Sequence, residues 1–203
     1  MRIERPRLLA IAVVLLSLLI GNGIVHAAKT RIRWDLTNVT GGISAGGKAS
    51  ALAQDGSKIT LTGSGTFRAA GKSQDVGGGG NWETFDKDGK STGSGTYQVM
   101  GRIQWVEAPG ALPAAAVDNI GDKANARAGL AILSIFYSEG SEGILAVSCH
   151  LPTGSPDTIF EGITATKGFV SYWNRIADVA GVEGNRTIFH VNQPPSTEPP
   201  ESQ

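Results

Sequence analysis

The chain has 203 residues and is formally neutral, with 18 basic and 18 acidic side chains. Neither sign forms a block, which argues against nucleic acid as a partner, because phosphate binding needs a cationic footprint. The single cysteine, Cys149, rules out an internal disulfide, so a core and a backbone ladder must supply the stability.

The N-terminal residues read as an export signal. Arg2, Arg5 and Arg7 precede an apolar run over residues 8–20, interrupted only by Ser17. Gly21-Asn22-Gly23 then breaks any helix, and Val25-His26-Ala27 predicts cleavage after Ala27. The run is shorter than the roughly 20 apolar residues of a spanning helix, so no membrane span is expected after cleavage. Without the three arginines and one glutamate of residues 1–27, fifteen basic and seventeen acidic side chains remain, a net of −2. A secreted or periplasmic location follows. Residues 28–192 suffice for one domain with a real core. The proline-rich tail 193–203 has no large apolar side chain to offset the entropy of ordering and is expected to be disordered.

Residues 31–38 form the first predicted strand, with Ile32, Trp34 and Leu36 on one face. A weaker strand, 48–54, leads into the turn Asp55-Gly56. Residues 58–68 alternate cleanly: Ile59, Leu61, Gly63, Gly65 and Phe67 share one side, while Thr60, Thr62, Ser64 and Thr66 share the other. Within this run lies a hexapeptide, Thr62-Gly63-Ser64-Gly65-Thr66-Phe67. It returns as Thr92-Gly93-Ser94-Gly95-Thr96-Tyr97, again downstream of an Asp-Gly pair, Asp88-Gly89. Repeated hairpin-type units of an antiparallel sheet carry this mark. The inward glycines leave room for a bulky ring to lie on the backbone, and Trp34, Trp82 and Tyr97 are the candidates.

Residues 77–80, four glycines, read as a flexible connection into a strand over 79–85. Residues 95–107 form the clearest strand, with Tyr97, Val99, Gly101, Ile103 and Trp105 on its dry face. A strand this long has to bend, and Gly101 is the expected place. Residues 109–128 form a long insertion that has room for one helical turn at 122–128. Residues 130–137 and 144–151 form a near-continuously apolar hairpin, expected at the centre of the sheet. Phe169, Val170, Trp173, Ile176 and Ala177 fall at helical spacing and predict a short amphipathic helix over 169–177. Residues 186–191 close the sheet.

The fold class that follows is mostly β: a single antiparallel β-barrel, closed or partly open, of about eight to nine strands with one short helix. A β-sandwich is the alternative. Two segments carry resemblances. Gly79-Gly80-Asn81-Trp82, with Asp88-Gly89 and Gly95-Thr96-Tyr97, is similar to the opening hairpin of avidin-like and lipocalin-like barrels. Gly63-Ser64-Gly65-Thr66-Phe67, with Gly71, resembles the glycine-rich strand pairs of dirigent and allene oxide cyclase barrels. Both resemblances imply a barrel rather than a sandwich and leave function open.

The catalytic inventory is short. Cys149 and His150 are adjacent and point to opposite sides of a strand, so they cannot act as thiol and base together; Cys149 is read as a core residue. His150, Glu161, His190 and Tyr137 are the available acid–base groups. Glu161 on its own reads as a solvated strand-end residue. His150 and His190 with Glu161 or Asp157 could ligate a metal, but no ligand spacing supports this and no cofactor is expected. The glycine repeats lack the following helix and the Gly-Lys-Ser/Thr of a phosphate cradle. Two glycosylation tripeptides begin at Asn38 and Asn185.

The leading expectation is therefore a non-catalytic exported protein that binds a small apolar ligand or an extracellular partner. Trp34, Trp82, Trp105, Tyr172 and Trp173 offer the aromatic surface, and core filling is the competing use for all five. A cofactor-independent cyclase or isomerase and a cell-surface structural or adhesion module are the alternatives. The enzyme requires its acid–base groups to converge. The structural module requires a solid core and an exposed apolar patch.

Overall fold

The computed structural model of the chain describes residues 30–177 and 184–191. The expected leader 1–27 and the expected tail 193–203 lie outside the described residues. The strands are β1 (Arg31–Asn38), β2 (Ser44–Ala45), β3 (Lys48–Leu52), β4 (Lys58–Thr62), β5 (Ser64–Arg68), β6 (Val76–Phe85), β7 (Ser91–Ala108), β8 (Ala126–Tyr137), β9 (Glu142–Cys149), β10 (Gly162–Lys167), β11 (Val170–Tyr172), β12 (Asn174–Arg175) and β13 (Arg186–Val191). Every pairing between them is antiparallel.

Six strands close a barrel. β1 pairs with β5, β5 with β6, β6 with β7, β7 with β8, β8 with β13, and β13 returns to β1. Closure removes the free edges that an open sheet leaves exposed. The other strands extend this ring. β4 and β3 continue from β6, while β9, β10 and β11 continue from β8. β12 pairs with β3 and ties the two extensions together. The barrel is thus the expected one, but with fewer closing strands and more short ones than the eight or nine foreseen. Among the described residues the helical content is one 3-10 turn, Lys123–Asn125, capped by the Asp122 carboxylate, which accepts from Ala124 N at 2.9 Å.

The interior is filled from both ends. Trp105 packs between Phe67 and Phe189, with ring centroids 5.5 and 4.6 Å away. Toward the other end Tyr137 meets Trp82 at 5.9 Å and Tyr97 at 6.3 Å. Trp34, Leu36, Leu133 and Leu145 are fully buried as well. The glycines of the hexapeptide make this density possible. Gly65 lies under Trp34 Nε1, and Gly93 and Gly95 lie under the Trp82 ring.

Four expectations need correction. The run 58–68 is two strands, broken at Gly63, whose φ of +145° favours glycine. The break lets β4 pair with β3 while β5 pairs with β1, although both dock on β6. Thr60 and Thr66, expected on the wet side, are buried as well: Thr60 Oγ1 is 2.8 Å from Ser50 Oγ, and Thr66 Oγ1 accepts from Arg31 Nη1 at 3.0 Å.

β7 does not keep one phase. The register slips between Val99 and Gly101 and again between Arg102 and Gln104, leaving Met100 and Ile103 as extra residues. Each slip is a β-bulge, which bends the strand and re-aims side chains. Ile103 is therefore 56% exposed, whereas Trp105 returns to the interior. Two bulges supply the bend expected of Gly101.

Residues 77–80 are part of β6 rather than a flexible connection. Their lack of side chains lets flanking strands approach: a methyl group on Gly79 would lie 2.1 Å from Tyr97 O.

Residues 169–177 are not a helix. Gly168 turns the chain with φ +55°, β11 folds back on β10, and β12 joins β3. The sheet margin takes up these backbone groups, so apolar spacing alone misjudged the segment. β10 itself, and the two-residue β2, were not foreseen.

Candidate functional site

The four acid–base candidates fall into three separate environments. His190 sits on β13, fully buried, with Nε2 2.7 Å from Asp118 Oδ2. Asp118 comes from the long insertion, which crosses β1 and β13 as a strap and is pinned by Ile43 N to Val117 O at 2.9 Å and Asn119 N to Ile43 O at 2.8 Å. Opposite His190 in the β1–β13 pair is Arg33, which holds Asp35 through two bonds of 2.7 Å. Burial pushes the Asp35 carboxyl up, against the downward pull of Arg33. This enclosed cluster fastens the strap and offers no room for substrate.

Tyr137 is also buried, and its hydroxyl donates to Thr166 O at 2.9 Å. Burial pushes its ionisation up, out of reach of acid–base use near neutrality.

Glu161 is not the solvated residue its strand-end position implied. Its carboxylate is buried and accepts from His150 N at 2.5 Å and Thr187 N at 2.6 Å. Thr187 Oγ1 in turn donates to Ser148 O at 2.7 Å. Glu161 thereby fastens the start of β13 to the end of β9. Cys149 is buried next to it, and desolvation pushes its thiol well up, as suits a core residue. His150 points the other way. With Glu161, Asp157, Ile159 and Arg175 it lines a cleft of about 380 Å³. His150 and Glu161 are thus brought together; His190 and Tyr137 are not. Among the described residues no three His, Cys, Asp or Glu side chains are grouped to hold a metal.

The aromatic candidates separate more sharply. Trp34, Trp82 and Tyr172 are buried at 0%, 6% and 5% exposure, and Trp105 is sandwiched between Phe67 and Phe189. Trp34, Trp82 and Tyr172 are core residues, and Trp105 is partly buried against that core. Trp173 alone of the five is open, at 55%. It shares a second cleft, of about 510 Å³, with Phe169, Val170, Asn174, Gln54 and Asp55. Phe169, at the hairpin tip after Gly168, is 99% exposed. Sequence reasoning missed it as a site residue by placing it on a helix; the Lys167-Gly168-Phe169 turn was the available signal. Ser57, through its hydroxyl and backbone N–H, holds the Asp55 carboxyl below the usual carboxylate range and shapes the opposite wall.

Neither glycosylation tripeptide is free of the fold. Asn185 is buried, accepting from Ser50 N at 2.5 Å and donating to Ile176 O at 3.1 Å, so its amide is a structural bridge. The Asn38 side chain caps its own turn through Thr40 N at 2.8 Å.

No protein-family model, no curated protein and no solved structure matches the chain.

Proposed function

We propose that this chain is an exported, non-catalytic β-barrel protein that binds an extracellular partner or a small apolar ligand through the cleft between the β3–β4 turn and the β11–β12 segment. One observation carries the reading: the two aromatic residues most open to solvent, Phe169 and Trp173, line the same concave site, while the barrel interior is occupied by its own side chains. Exposed rings beside amide and carboxylate groups are how a surface site gains affinity from apolar contact and orientation from hydrogen bonds. Of the four tryptophans Trp173 is the one more than half exposed, so its emission reports on this cleft.

The test is titration of the purified protein with an apolar probe, a medium-chain fatty acid, followed by tryptophan emission, alongside native mass spectrometry of protein incubated with extracellular extract. Saturable quenching or a retained mass, lost in Phe169→Ser/Trp173→Ser with an unchanged circular dichroism spectrum, is the expected result. Neither quenching nor retained mass would remove the reading.

A second reading, a cofactor-independent isomerase or cyclase, draws support from the sharing of one cleft by His150 and Glu161. It is weakened by the two backbone donors that already occupy the Glu161 carboxylate. An adhesion module draws on the same filled core and open aromatic residues, and it predicts partner capture without any small ligand.

A further inference from the structure

β7 outruns the strand beside it. Its pairing with β6 ends at Gly79 opposite Gln98, and the loop before β6 follows it only to Arg102, whose N–H donates to Ser73 O at 2.8 Å. Beyond the second bulge, residues 104–108 run in unbroken register with β8, from Gln104 opposite Ile132 to Ala108 opposite Ala128. Among the described residues nothing pairs with the other side of this stretch. The closed barrel therefore carries one overhanging edge.

Alternate residues of an antiparallel strand turn their N–H and C=O to opposite sides. Gly129 of β8 fixes the phase: a methyl group there would lie 2.5 Å from Val106 O, so Val106 faces β8. Trp105 and Glu107 consequently turn their backbone groups outward. Proteins ordinarily blunt such an edge with lysine or proline, or cover it with a loop. Residues 103–108 hold neither lysine nor proline. Their one charge, Glu107, is paired with Arg127 at 3.1 Å. Ile103 and Val106 are about half exposed instead.

We propose that an extended segment of another protein adds to β7 as a strand along residues 104–108. The backbone row names the class of partner. Only a polypeptide presents N–H and C=O groups at the two-residue spacing of Trp105 and Glu107; a lipid chain or a small apolar molecule offers neither. The 193–203 tail of this chain does not qualify, because Pro194, Pro195, Pro199 and Pro200 lack the donor. The loop that carries Ser73 stands beside the start of the edge, so a slender extended segment fits there and the flank of a second barrel does not. Val106 lies opposite Leu130 on one face, and the added strand gains most by placing a β-branched side chain next to Val106. This edge is separate from the Phe169–Trp173 cleft, and the inference does not depend on the function proposed for that cleft.

The probe is a fluorescein-labelled octapeptide of alternating threonine and valine with a lysine at each end, added to the purified full protein. Fluorescence anisotropy reads binding, and hydrogen exchange reads the amides. Trp105 and Glu107 amides should exchange fast in the free protein and become protected with peptide, and anisotropy should saturate. The same peptide with N-methylated amides should not bind. Glu107→Pro removes an outward N–H without touching the β8 ladder and should weaken binding about 10-fold. Glu107→Gln, which keeps that N–H, and Phe169→Ser/Trp173→Ser should leave binding unchanged. Absence of saturable binding overturns the proposal, as does equal binding of the methylated peptide. Protection of both amides before peptide is added overturns it too, and sedimentation velocity then tells a second copy from the chain's own residues. If Glu107→Pro loses the wild-type circular dichroism spectrum, the methylated peptide and the exchange decide.

Discussion

The same hexapeptide has two structural fates in this molecule. In the first copy, 62–67, the chain breaks at Gly63 and hands its two halves to different partners, β4 to β3 and β5 to β1. In the second copy, 92–97, the chain runs unbroken within β7. The local packing is nevertheless shared. Trp34 lies on Gly65 in the first, and Trp82 lies on Gly93 and Gly95 in the second. The copies also touch: Tyr97 of the second lies over Gly63 of the first and donates to Thr62 O at 2.9 Å. They differ in what surrounds the ring. Trp82 Nε1 donates to Thr96 O at 3.1 Å, whereas Trp34 Nε1 has no partner among the described residues. A glycine–aromatic pair is thus a portable unit, and the strand on the far side of the glycine decides how tightly it is held.

Substitutions at matching positions of the two copies break or sharpen this comparison. The largest effect belongs to Gly65→Ala. Its methyl would lie 2.3 Å from Gly77 O and 2.7 Å from Trp34 Nε1, and the first is backbone that cannot rotate away. A loss of about 3 kcal/mol in urea unfolding is expected. Gly95→Ala should cost less, about 1–2 kcal/mol, because its near contacts at 2.5 and 2.9 Å are the Ser138 hydroxyl and the Trp82 ring, both side chains. Equal losses at 65 and 95 would mean that the far-side strand does not set the tolerance.

Tyr97→Phe removes the hydrogen bond that joins the copies and should lower stability by about 1 kcal/mol with an unchanged spectrum. Gly93→Ala meets nothing closer than the Trp82 ring at 3.4 Å and should fall within about 0.5 kcal/mol of wild type, of either sign.

The smallest effect is a pH dependence at the edge of the first copy, next to its last residue Phe67. Hydrogen bonding from Arg68 on β5, assisted by Arg31, holds the Asp75 carboxyl below the usual carboxylate range. A depressed carboxyl stabilises the fold fully above its ordinary range and loses that contribution as pH falls through the depressed value. Asp75→Asn should flatten the acid limb of a stability–pH curve without moving the neutral value far, because the group is exposed to solvent.

Much of the fold was legible in the chain. Local patterning located 31–38 by its alternation, the 130–151 hairpin by its near-continuous apolar runs and the closing strand 186–191, each to within a few residues, and the inward glycines of the hexapeptide pointed to the aromatic residues that lie on them. Alternation failed where neighbouring strands override it. Val99, Ile103 and Trp105 have the right spacing to share a face, yet two slips against β8 turn Ile103 outward. Nothing local to residues 99–105 encodes a slip. The site was less legible. Burial separates Trp173 from four other aromatic residues, and Glu161 from solvent, but it is set by elements far away in sequence. Thr187, whose backbone N–H donates to Glu161, is 26 residues away, and Asp118 meets His190 across 72.

What the amino-acid order determined unaided is the sheet: period-two patterning, turn glycines and repeated ring seats act over a few residues and need no partner. What only the tertiary structure decided is which faces become inside and which carry chemistry. That depends on the closing of β13 between β1 and β8, the strap over His190 and the bulges of β7, each a contact between distant segments whose geometry no short stretch of sequence contains.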